Sequence, residues 1–321
     1  MTRHGATVAD HEQAVAHIIR RVFGEQAREI RRMTAGMANE VYAARLSSRA
    51  VIVRLNADSD SMRGAEEHIA LFRSLGISVP EVLAADYSKT LVPFAYQIQS
   101  KLDGTDLGQV IDSLTGAQLK AIAGEIAWIV RRLEPLPTNG KFGWTGGGKA
   151  AAFATWLDVL RNMRAQIAER TATTRVVGDR YLQAIDALLD THRPHLSCVA
   201  STFYYDDMSS KNVLIHEGRF VGLVDLDTVA YGDPLEGVGR IEASWFGTSY
   251  GRAYTNAVMA ELELTTAERM MVHVYAILNR LYWLSERGIK FNGNTSTVID
   301  HDLVARDQAI IDEMIVQLGL G

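Results

Sequence analysis

Cysteine is almost absent from this sequence, because Cys198 is the only one among 321 residues. A disulfide framework and a cysteine-based metal site each need more than one thiol, so both are excluded within one chain. Long apolar runs are also missing. None approaches the ~20 residues of a membrane-spanning helix, and the N-terminus has no apolar signal core. We therefore expect a soluble cytoplasmic protein with no membrane partner.

The composition is typical of a folded protein. Apolar residues make up 47% of the chain and charged residues 22%, which allows a sizeable core and argues against disorder. A chain of this length suits one large domain or two modest ones.

Charge is distributed unevenly along the chain. Residues 1–102 hold 13 Lys and Arg against 11 Asp and Glu, a net charge of +2, and residues 103–321 hold 20 against 27, a net charge of −7. A basic first part would suit a phosphate donor, and an acidic second part would suit a cationic acceptor. Ordinary scatter of surface charge is the alternative.

Residues 204–227 carry the strongest chemical signal. Asp207 and Asn212 are five residues apart in a polar loop, and Asp225 follows a later apolar run. The turn at 216–219 joins two strand-like runs, so we predict a hairpin, which would bring the three side chains to one end of two neighbouring strands. Two carboxylates and an amide are hard oxygen ligands, which suit Mg²⁺.

The same spacing is the catalytic-loop pattern of kinases. One Asp orients and deprotonates a hydroxyl, an Asn five residues later holds Mg²⁺, and a later Asp holds Mg²⁺ again. A polar turn with incidental acids is the alternative. The predicted hairpin, the second acid and the closing Gly232-Asp233-Pro234 favour the kinase interpretation.

The segment resembles the aminoglycoside phosphotransferase and choline kinase family. Similar stretches are Ile77–Leu83, Thr155-Trp156 and Asn212-Val213-Leu214, and the resemblance covers most of the chain from about Met33 onward. It implies an α+β, protein-kinase-like bilobal fold. We expect a nucleotide-binding N-terminal lobe with an antiparallel sheet at residues 1–101. A larger, mainly helical C-terminal lobe for catalysis and acceptor binding is expected at 102–321.

Hydrophobic periodicity agrees with this division, since it changes from period two to period 3.6 near residue 102. Strands are predicted at 30–35, 40–46, 50–55 and 92–100, and helices at 10–23, 64–75, 115–133, 153–169, 179–190, 235–250, 265–287 and 302–318. The glycine-rich stretch 138–148 is interpreted as a flexible connection.

The resemblance also assigns the nucleotide-binding residues. Gly36 and Asn39 match the family's Gly-x-x-Asn-x-x-Tyr loop, although a glycine in a hairpin turn is often only a turn residue. Arg54 on the third strand would bind the α- and β-phosphates. Glu66 would pair with this cation, with Glu67 as the alternative. Backbone groups near Gln99 and Lys101 would bind the adenine edge.

Two positions depart from the family pattern. The family's His-Gly before the catalytic Asp is Tyr205-Asp206 in this chain. A tyrosine hydroxyl could brace the loop as the histidine does. Asp206 adds a negative charge beside the base, which would raise the pKa of Asp207, or it would contact a cationic substrate.

The predicted activity is therefore phosphorylation of a hydroxyl on an aminoglycoside antibiotic, which would confer resistance. ATP, or GTP, and Mg²⁺ are the expected cofactors, with Asp207 as the base and Asn212 and Asp225 as metal ligands. No nucleic acid partner is expected. A small cationic, sugar-like acceptor would contact Asp206, Asp227, Glu242 and Trp245. The alternatives are a metabolite kinase acting on a choline-like amine or amino alcohol, and a degenerate kinase that only binds.

Overall fold

The computed structural model describes residues 8–33, 39–147, 149–291 and 296–319. The chain forms two compact units. The first comprises the described residues up to Asp103, the described part of 146–148, and Gly222–Thr228. The second comprises Gly104–Thr145, the described part of Lys149–Val221, and Val229 to the end of the described chain.

The first unit contains an antiparallel sheet of five strands in the order β1-β2-β3-β5-β4. The strands are β1 (Glu29–Met33), β2 (Glu40–Arg45), β3 (Ala50–Asn56), β4 (Val82–Asp86) and β5 (Ala95–Ser100), and the helices are α1 (Val8–Phe23) and α2 (Ala65–Ser74). Val51, Val53 and Leu55 alternate along β3 and are fully buried, as expected for one face of a strand. Together with Ile18 and Ile19 of α1 they form the core.

The second unit is mainly helical. Its helices are α3 (Leu107–Val110), α4 (Gly116–Leu133), α5 (Trp156–Thr174), α6 (Asp179–Thr191), α7 (Arg193–Leu196), α8 (Leu235–Trp245), α9 (Ser249–Glu261), α10 (Thr266–Leu284) and α11 (His301–Gln317). The core includes Trp156 and Tyr275, both fully buried, and the Trp156 Nε1–H donates to the Tyr275 hydroxyl at 2.9 Å. The buried indole N–H therefore has a hydrogen-bond acceptor.

Two small sheets accompany these helices. Their strands are β6 (Thr105–Asp106), β7 (Gly143–Thr145), β8 (Thr202–Tyr204), β9 (Val213–His216), β10 (Arg219–Leu223) and β11 (Val229–Gly232), in the orders β7-β11-β8 and β10-β9-β6. The predicted hairpin is present as β9 and β10. The last two residues of β10 and the five that follow them, Gly222–Thr228, belong to the first unit.

The predicted fold class is confirmed, because an antiparallel sheet precedes a mainly helical part. One predicted helix differs, since residues 235–250 cover the whole of α8, a break, and the first two residues of α9. Gly247 has a φ of +85°, a conformation that most residues avoid, and it ends α8 before the Thr248 hydroxyl caps α9 at the Gly251 N–H. β4 and most of α9 were not predicted.

The division of the chain is more complex than one boundary near residue 102. Leu223 N–H donates to the Ser78 carbonyl at 2.9 Å within the first unit. A Cβ at Gly222 would lie 2.6 Å from the same carbonyl oxygen, so only glycine allows this approach. Asp225 and Asp227 therefore belong to the first unit. The assignment of the units to nucleotide and acceptor binding stays a prediction.

No helix in the described part of the chain is both long and apolar enough to cross a membrane.

Candidate functional site

Arg54 is the centre of a charged cluster in the first unit. It lies on β3 with a side chain only 6% exposed. Its Nη1–H donates to Asp227 Oδ1 at 2.6 Å, its Nη2–H donates to Asp227 Oδ2, and Nη2 also donates to Asp225 Oδ1 at 3.1 Å. Burial alone would lower the pKa of Arg54, but the charges of Asp227 and Asp225 outweigh it and the pKa is raised. The cluster therefore holds a permanent cation.

Neighbouring residues hold both the side chain and the backbone of Asp227 in place. Asn39 Nδ2–H donates to Asp227 Oδ2 at 2.9 Å, and Asn56 Nδ2–H donates to Asn39 Oδ1 at 2.8 Å. Gly146 has a φ of +131°, and a Cβ there would lie 2.1 Å from the Asp227 carbonyl oxygen. The glycine-rich stretch therefore contributes a close backbone contact to this cluster, which the prediction of a flexible connection did not include.

Asp225 has a backbone and an exposure that differ from those of Asp227. Its φ is +65°, in the left-handed region that non-glycine residues adopt rarely and often at functional sites. Its side chain is 45% exposed, whereas that of Asp227 is 15% exposed. Asp225 therefore presents a carboxylate to solvent, and Asp227 uses both oxygens on Arg54. This geometry does not support Asp227 as a substrate contact and assigns it the role of positioning Arg54.

Glu66 does not make the predicted ion pair with Arg54. Glu66 lies in the first turn of α2, and burial together with this carboxylate raises the pKa of Tyr87. Among the residues that the structure describes, the ion-pair partners of Arg54 are Asp225 and Asp227. The predicted Arg54–Glu66 pair is thus corrected, because carboxylates distant in the sequence lie closer to the cation.

Two of the three remaining residues predicted to bind the nucleotide, Gln99 and Lys101, lie at the end of β5 or just after it. Gly36 lies outside the described residues. Gln99 lies in β5, where its backbone pairs with Ile52 and its side chain donates to Gln97 Oε1 at 2.5 Å. Lys101 follows the end of β5 and pairs with Asp103 at 3.3 Å. Their contact with an adenine edge stays a prediction.

The residues of the predicted catalytic loop lie in the second unit, between β8 and β9. Ser209 Oγ–H donates to Asp207 Oδ1 at 2.7 Å, and Asn212 Nδ2–H donates to the Asp207 carbonyl at 3.1 Å. Asn212 is 2% exposed, so its amide is held in one orientation under the loop. Asp207 keeps 22% of its side chain exposed and can meet a hydroxyl from solvent.

Arg240 of α8 joins the two adjacent carboxylates of this loop. Its Nη1–H donates to Asp206 Oδ2 at 2.8 Å, and its Nε lies 3.4 Å from Asp207 Oδ1. Trp144 Nε1–H also donates to Asp206 Oδ2, at 2.8 Å. Asp206 is 2% exposed, so this geometry does not support it as a substrate contact.

Arg240 also reverses the expected direction of the pKa shift of Asp207, the predicted base. Burial raises the pKa of Asp207, but the Arg240 guanidinium and the Ser209 hydroxyl outweigh it, and the pKa is lowered. The predicted rise caused by Asp206 is therefore wrong. Burial instead raises the pKa of Asp206 itself. Asp207 is therefore ionised at neutral pH.

The Gly-Asp-Pro segment fixes the start of α8. Asp233 Oδ1 accepts the Leu235 N–H at 3.1 Å, and Asp233 Oδ2 accepts the Tyr275 hydroxyl at 2.7 Å and lies 3.0 Å from His195 Nε2. A Cβ at Gly232 would lie 2.3 Å from the Trp156 ring. The motif is thus an anchor for the helix that carries Arg240.

Glu242 and Trp245 lie together, but on another face of α8. At about 100° per residue, Glu242 is turned about 200° from Arg240. Glu242 Oε1 lies 2.6 Å from His273 Nδ1, and both Glu242 and Trp245 are 8% exposed. They line a cavity of about 180 Å³ with residues of α9. The geometry does not support their predicted position beside the Asp207 loop.

The predicted metal ligands have suitable chemistry for Mg²⁺. Because Asn212 Nδ2 is used by the Asp207 carbonyl, the amide oxygen is directed away and can act as a ligand. Asp225 offers an exposed carboxylate. The described residues contain no cluster of three or more His, Cys, Asp or Glu suited to a metal. Mg²⁺ does not require such a cluster, because it is commonly held by one or two carboxylates, water and substrate phosphates.

Comparison with known proteins agrees with this chemistry. Residues 29–271 match the sequence profile of the phosphotransferase enzyme family, APH. The comparison with curated protein sequences gave no significant match.

Solved structures share the fold across nearly the whole chain. A thermostable mutant of aminoglycoside phosphotransferase APH(4)-Ia in ternary complex with AMP-PNP and hygromycin B is 18% identical, with a TM-score of 0.69, covering 96% of this chain and 99% of that one. ADP-bound aminoglycoside phosphotransferase APH(2'')-Ib is 14% identical, with a TM-score of 0.62 and coverages of 96% and 99%. A putative fructosamine-3-kinase from Haemophilus somnus is 13% identical, with a TM-score of 0.64 and coverages of 95% and 97%.

The fold is therefore the protein-kinase-like fold of phosphotransferases that act on hydroxyl groups. The chain belongs to the phosphotransferase enzyme family, as the resemblance implied.

Sequence reasoning missed Arg240, Trp144 and the pairing of Asp227 with Arg54. A signal for Arg240 was present, since Gly237 and Gly239 precede it on a helix. A Cβ at Gly237 would lie 3.3 Å from the Tyr205 carbonyl oxygen, so glycine lets α8 lie against the catalytic loop. Small residues on a helix indicate close backbone approach.

Proposed function

We propose that this protein is an ATP- and Mg²⁺-dependent O-phosphotransferase that phosphorylates a hydroxyl of an aminoglycoside, as a hygromycin B phosphotransferase does, and so confers resistance. The observation that carries the proposal is the catalytic loop. Asp207 is partly exposed and held by Ser209 and Arg240, and Asn212 is fixed beneath it. This is the arrangement that the kinase pattern requires of a base and a neighbouring metal ligand.

The donor residues bind the nucleotide in this proposal. Arg54 is a cation whose charge does not depend on pH and whose orientation is fixed by Asp227; it would neutralise the α- and β-phosphates. Asn212 and Asp225 are the proposed Mg²⁺ ligands. The bound ion would neutralise charge on the transferred phosphoryl group. GTP is the alternative donor.

Asp207 acts on the acceptor. Its carboxylate accepts the proton of the acceptor hydroxyl and orients the oxygen toward the phosphoryl group, so that catalysis rests on positioning and on charge stabilisation. Because its pKa is lowered, Asp207 is a weak base. This suits a reaction in which the proton moves late and orientation matters more than basicity.

Two observations support an aminoglycoside acceptor. Residues 103–321 carry a net charge of −7, which attracts a polycation. The structures that share the fold include complexes of aminoglycoside phosphotransferases with hygromycin B and with streptomycin.

A second candidate acceptor is a small metabolite such as an amino alcohol. Three carboxylates predicted to bind a cationic sugar are engaged internally, since Asp206 binds Arg240, Asp227 binds Arg54 and Glu242 lies against His273. A large polycation would then depend on other acids of the second unit, whereas a small acceptor needs few contacts.

A phosphorylation assay separates these candidates. The purified protein is incubated with Mg²⁺ and ATP or GTP, and with hygromycin B, other aminoglycosides, choline or small amino alcohols, and products are identified by mass spectrometry. A mass increase of one phosphoryl group on an aminoglycoside supports the proposal. Transfer only to an amino alcohol supports the metabolite kinase, and nucleotide binding without transfer to any acceptor supports the binding module.

A further inference from the structure

Asp206 and Arg240 form a buried pair beside the proposed base, and no motif of the sequence predicted it. Asp206 is held from two sides, by Trp144 Nε1 and by Arg240 Nη1, both at 2.8 Å. Asp206 is 3% exposed in its side chain and Arg240 is 24% exposed. A buried carboxylate with two charge-assisted or polar contacts is a rigid anchor.

The same guanidinium reaches Asp207. Arg240 Nε lies 3.4 Å from Asp207 Oδ1, which also accepts the Ser209 hydroxyl at 2.7 Å. The Ser209 contact is a hydrogen bond, and the Arg240 contact is an ion pair in which Nε makes no hydrogen bond. Both fall on one oxygen, so they favour one rotation of the carboxylate and leave its second oxygen directed elsewhere. A planar guanidinium can contact two carboxylates at once, whereas a lysine ammonium is a single point of charge.

The fold brings Arg240 to this position through two glycines. A Cβ at Gly237 would lie 3.4 Å from Asp206 Cα, and a Cβ at Gly239 would lie 2.5 Å from Tyr275 Cβ. α8 therefore lies close to the catalytic loop on one side and to α10 on the other. Arg240 follows one turn after Gly237, on the same side of the helix.

We propose that Arg240 is a positioning residue for phosphoryl transfer, which uses the buried carboxylate of Asp206 as its anchor and sets the orientation of the Asp207 carboxylate. This inference rests on the proposed function, because it assigns Asp207 to the acceptor hydroxyl. The acceptor oxygen is aligned only while Arg240 bridges the two carboxylates.

A purely structural alternative is that Arg240 only neutralises Asp206. Removing Arg240 alone would leave a buried unpaired charge and could prevent folding. The test therefore uses the double variant Asp206→Asn/Arg240→Gln, which removes both charges. The matched control is Asp186→Asn/Arg164→Gln, since Arg164 binds both oxygens of Asp186 at 2.9 and 2.8 Å elsewhere in the same unit.

Positioning predicts a specific kinetic result. The double variant should bind Mg·ATP with unchanged affinity and should lose about 100-fold in kcat, the scale expected for a reacting group displaced by about 1 Å, with little change in acceptor KM. Asp206→Asn/Arg240→Lys should recover part of the kcat, because its ammonium can then pair with Asp207. The control pair should leave kcat unchanged.

The opposite results overturn the inference. A double variant with wild-type kcat, or one whose loss of kcat is matched by a loss of folded protein, shows that Arg240 only compensates Asp206. If the wild-type protein transfers phosphate to no acceptor, the proposed function fails. The role of Arg240 in orienting Asp207 is then judged separately, by crystal structures of the wild type and the double variant: a changed Asp207 carboxylate orientation supports that role, and an unchanged one overturns it.

Discussion

Arg54 is paired with two carboxylates inside its own unit, because Asp227 binds both ends of the guanidinium and Asp225 binds one. Asp227 is thus committed to Arg54. Asp225 shares one oxygen and stays exposed. A phosphate would add a third anion to a cation that is already oriented, so little side-chain entropy would be lost on nucleotide binding.

Removing the Arg54 side chain tests this cluster. Arg54→Ala should weaken nucleotide binding and should also destabilise the protein by about 3–5 kcal/mol, because Asp227 is left without its partner. Glu66→Ala should change neither quantity much, since Glu66 contacts Tyr87. Calorimetry with Mg·ATP and thermal unfolding measure both. Unchanged nucleotide affinity in Arg54→Ala would assign the phosphates to another cation.

Asp207 and Asp225 should respond differently to the same substitution. Asp207→Asn should reduce kcat by about 10²–10⁴-fold and leave Mg²⁺-nucleotide affinity nearly intact, because this residue acts on the acceptor hydroxyl. Asp225→Asn should weaken Mg²⁺-nucleotide binding, because it removes a charged metal ligand. Steady-state kinetics and calorimetry on both variants check this, and near-normal turnover in Asp207→Asn would contradict the assigned base.

At the scale of elements, α8 has separate functions on its different faces. Its first turn is anchored by Asp233, Arg240 faces the catalytic loop, and Glu242 lies against His273. Glu236 is buried and accepts hydrogen bonds from Tyr204 and Asn279. Three acidic or basic side chains on one helix thus have three different environments.

Glu236 should make stability depend on pH. Burial and the nearby Asp206 raise its pKa to about 7, whereas the unfolded chain has the ordinary value near 4.5. Between these values the folded protein keeps a proton that the unfolded chain has lost, so the free energy of unfolding falls as pH rises, by at most about 3 kcal/mol. Urea unfolding at pH 5 and pH 7.5 should show this fall.

Glu236→Gln provides the comparison. An amide does not titrate, and it can keep hydrogen bonds with Tyr204 and Asn279. The difference in stability between the two pH values should therefore be smaller in the variant than in the wild type. An equal difference in both proteins would show that other groups cause the dependence.

Features that depend on local sequence were predicted, whereas contacts between residues distant in the sequence were not. The Asp207–Asn212 spacing and the hairpin are set within a few residues, so the loop was located from sequence. The Arg54–Asp227 and Asp206–Arg240 pairs join residues 173 and 34 positions apart, and only the tertiary fold brings them together. A charge that looked free in the sequence, such as Asp206, is therefore committed in the structure.

At the scale of the whole molecule, the backbone crosses between the units more than once. Period-two and period-3.6 patterns located the sheet and the helices, because each depends on which side of an element is buried. Those patterns could not show that Gly222–Thr228 folds with residues near the start of the chain. That segment is short, and its place is set by long-range contacts such as that of Leu223 with Ser78.

The negative net charge of the second part of the chain should make acceptor binding depend on salt. If the acceptor is a polycation attracted by the −7 net charge of residues 103–321, added salt should screen the attraction, because the Debye length falls from about 10 Å at 0.1 M to about 3 Å at 1 M. Acceptor KM should then rise with ionic strength more steeply than nucleotide KM, whose Arg54 contact is buried and less screened. Steady-state kinetics in a series of KCl concentrations measure both. An acceptor KM indifferent to salt, or a preferred acceptor that is neutral or anionic, would instead favour the metabolite kinase, since the carboxylates of Asp206, Asp227 and Glu242 are already engaged within the protein.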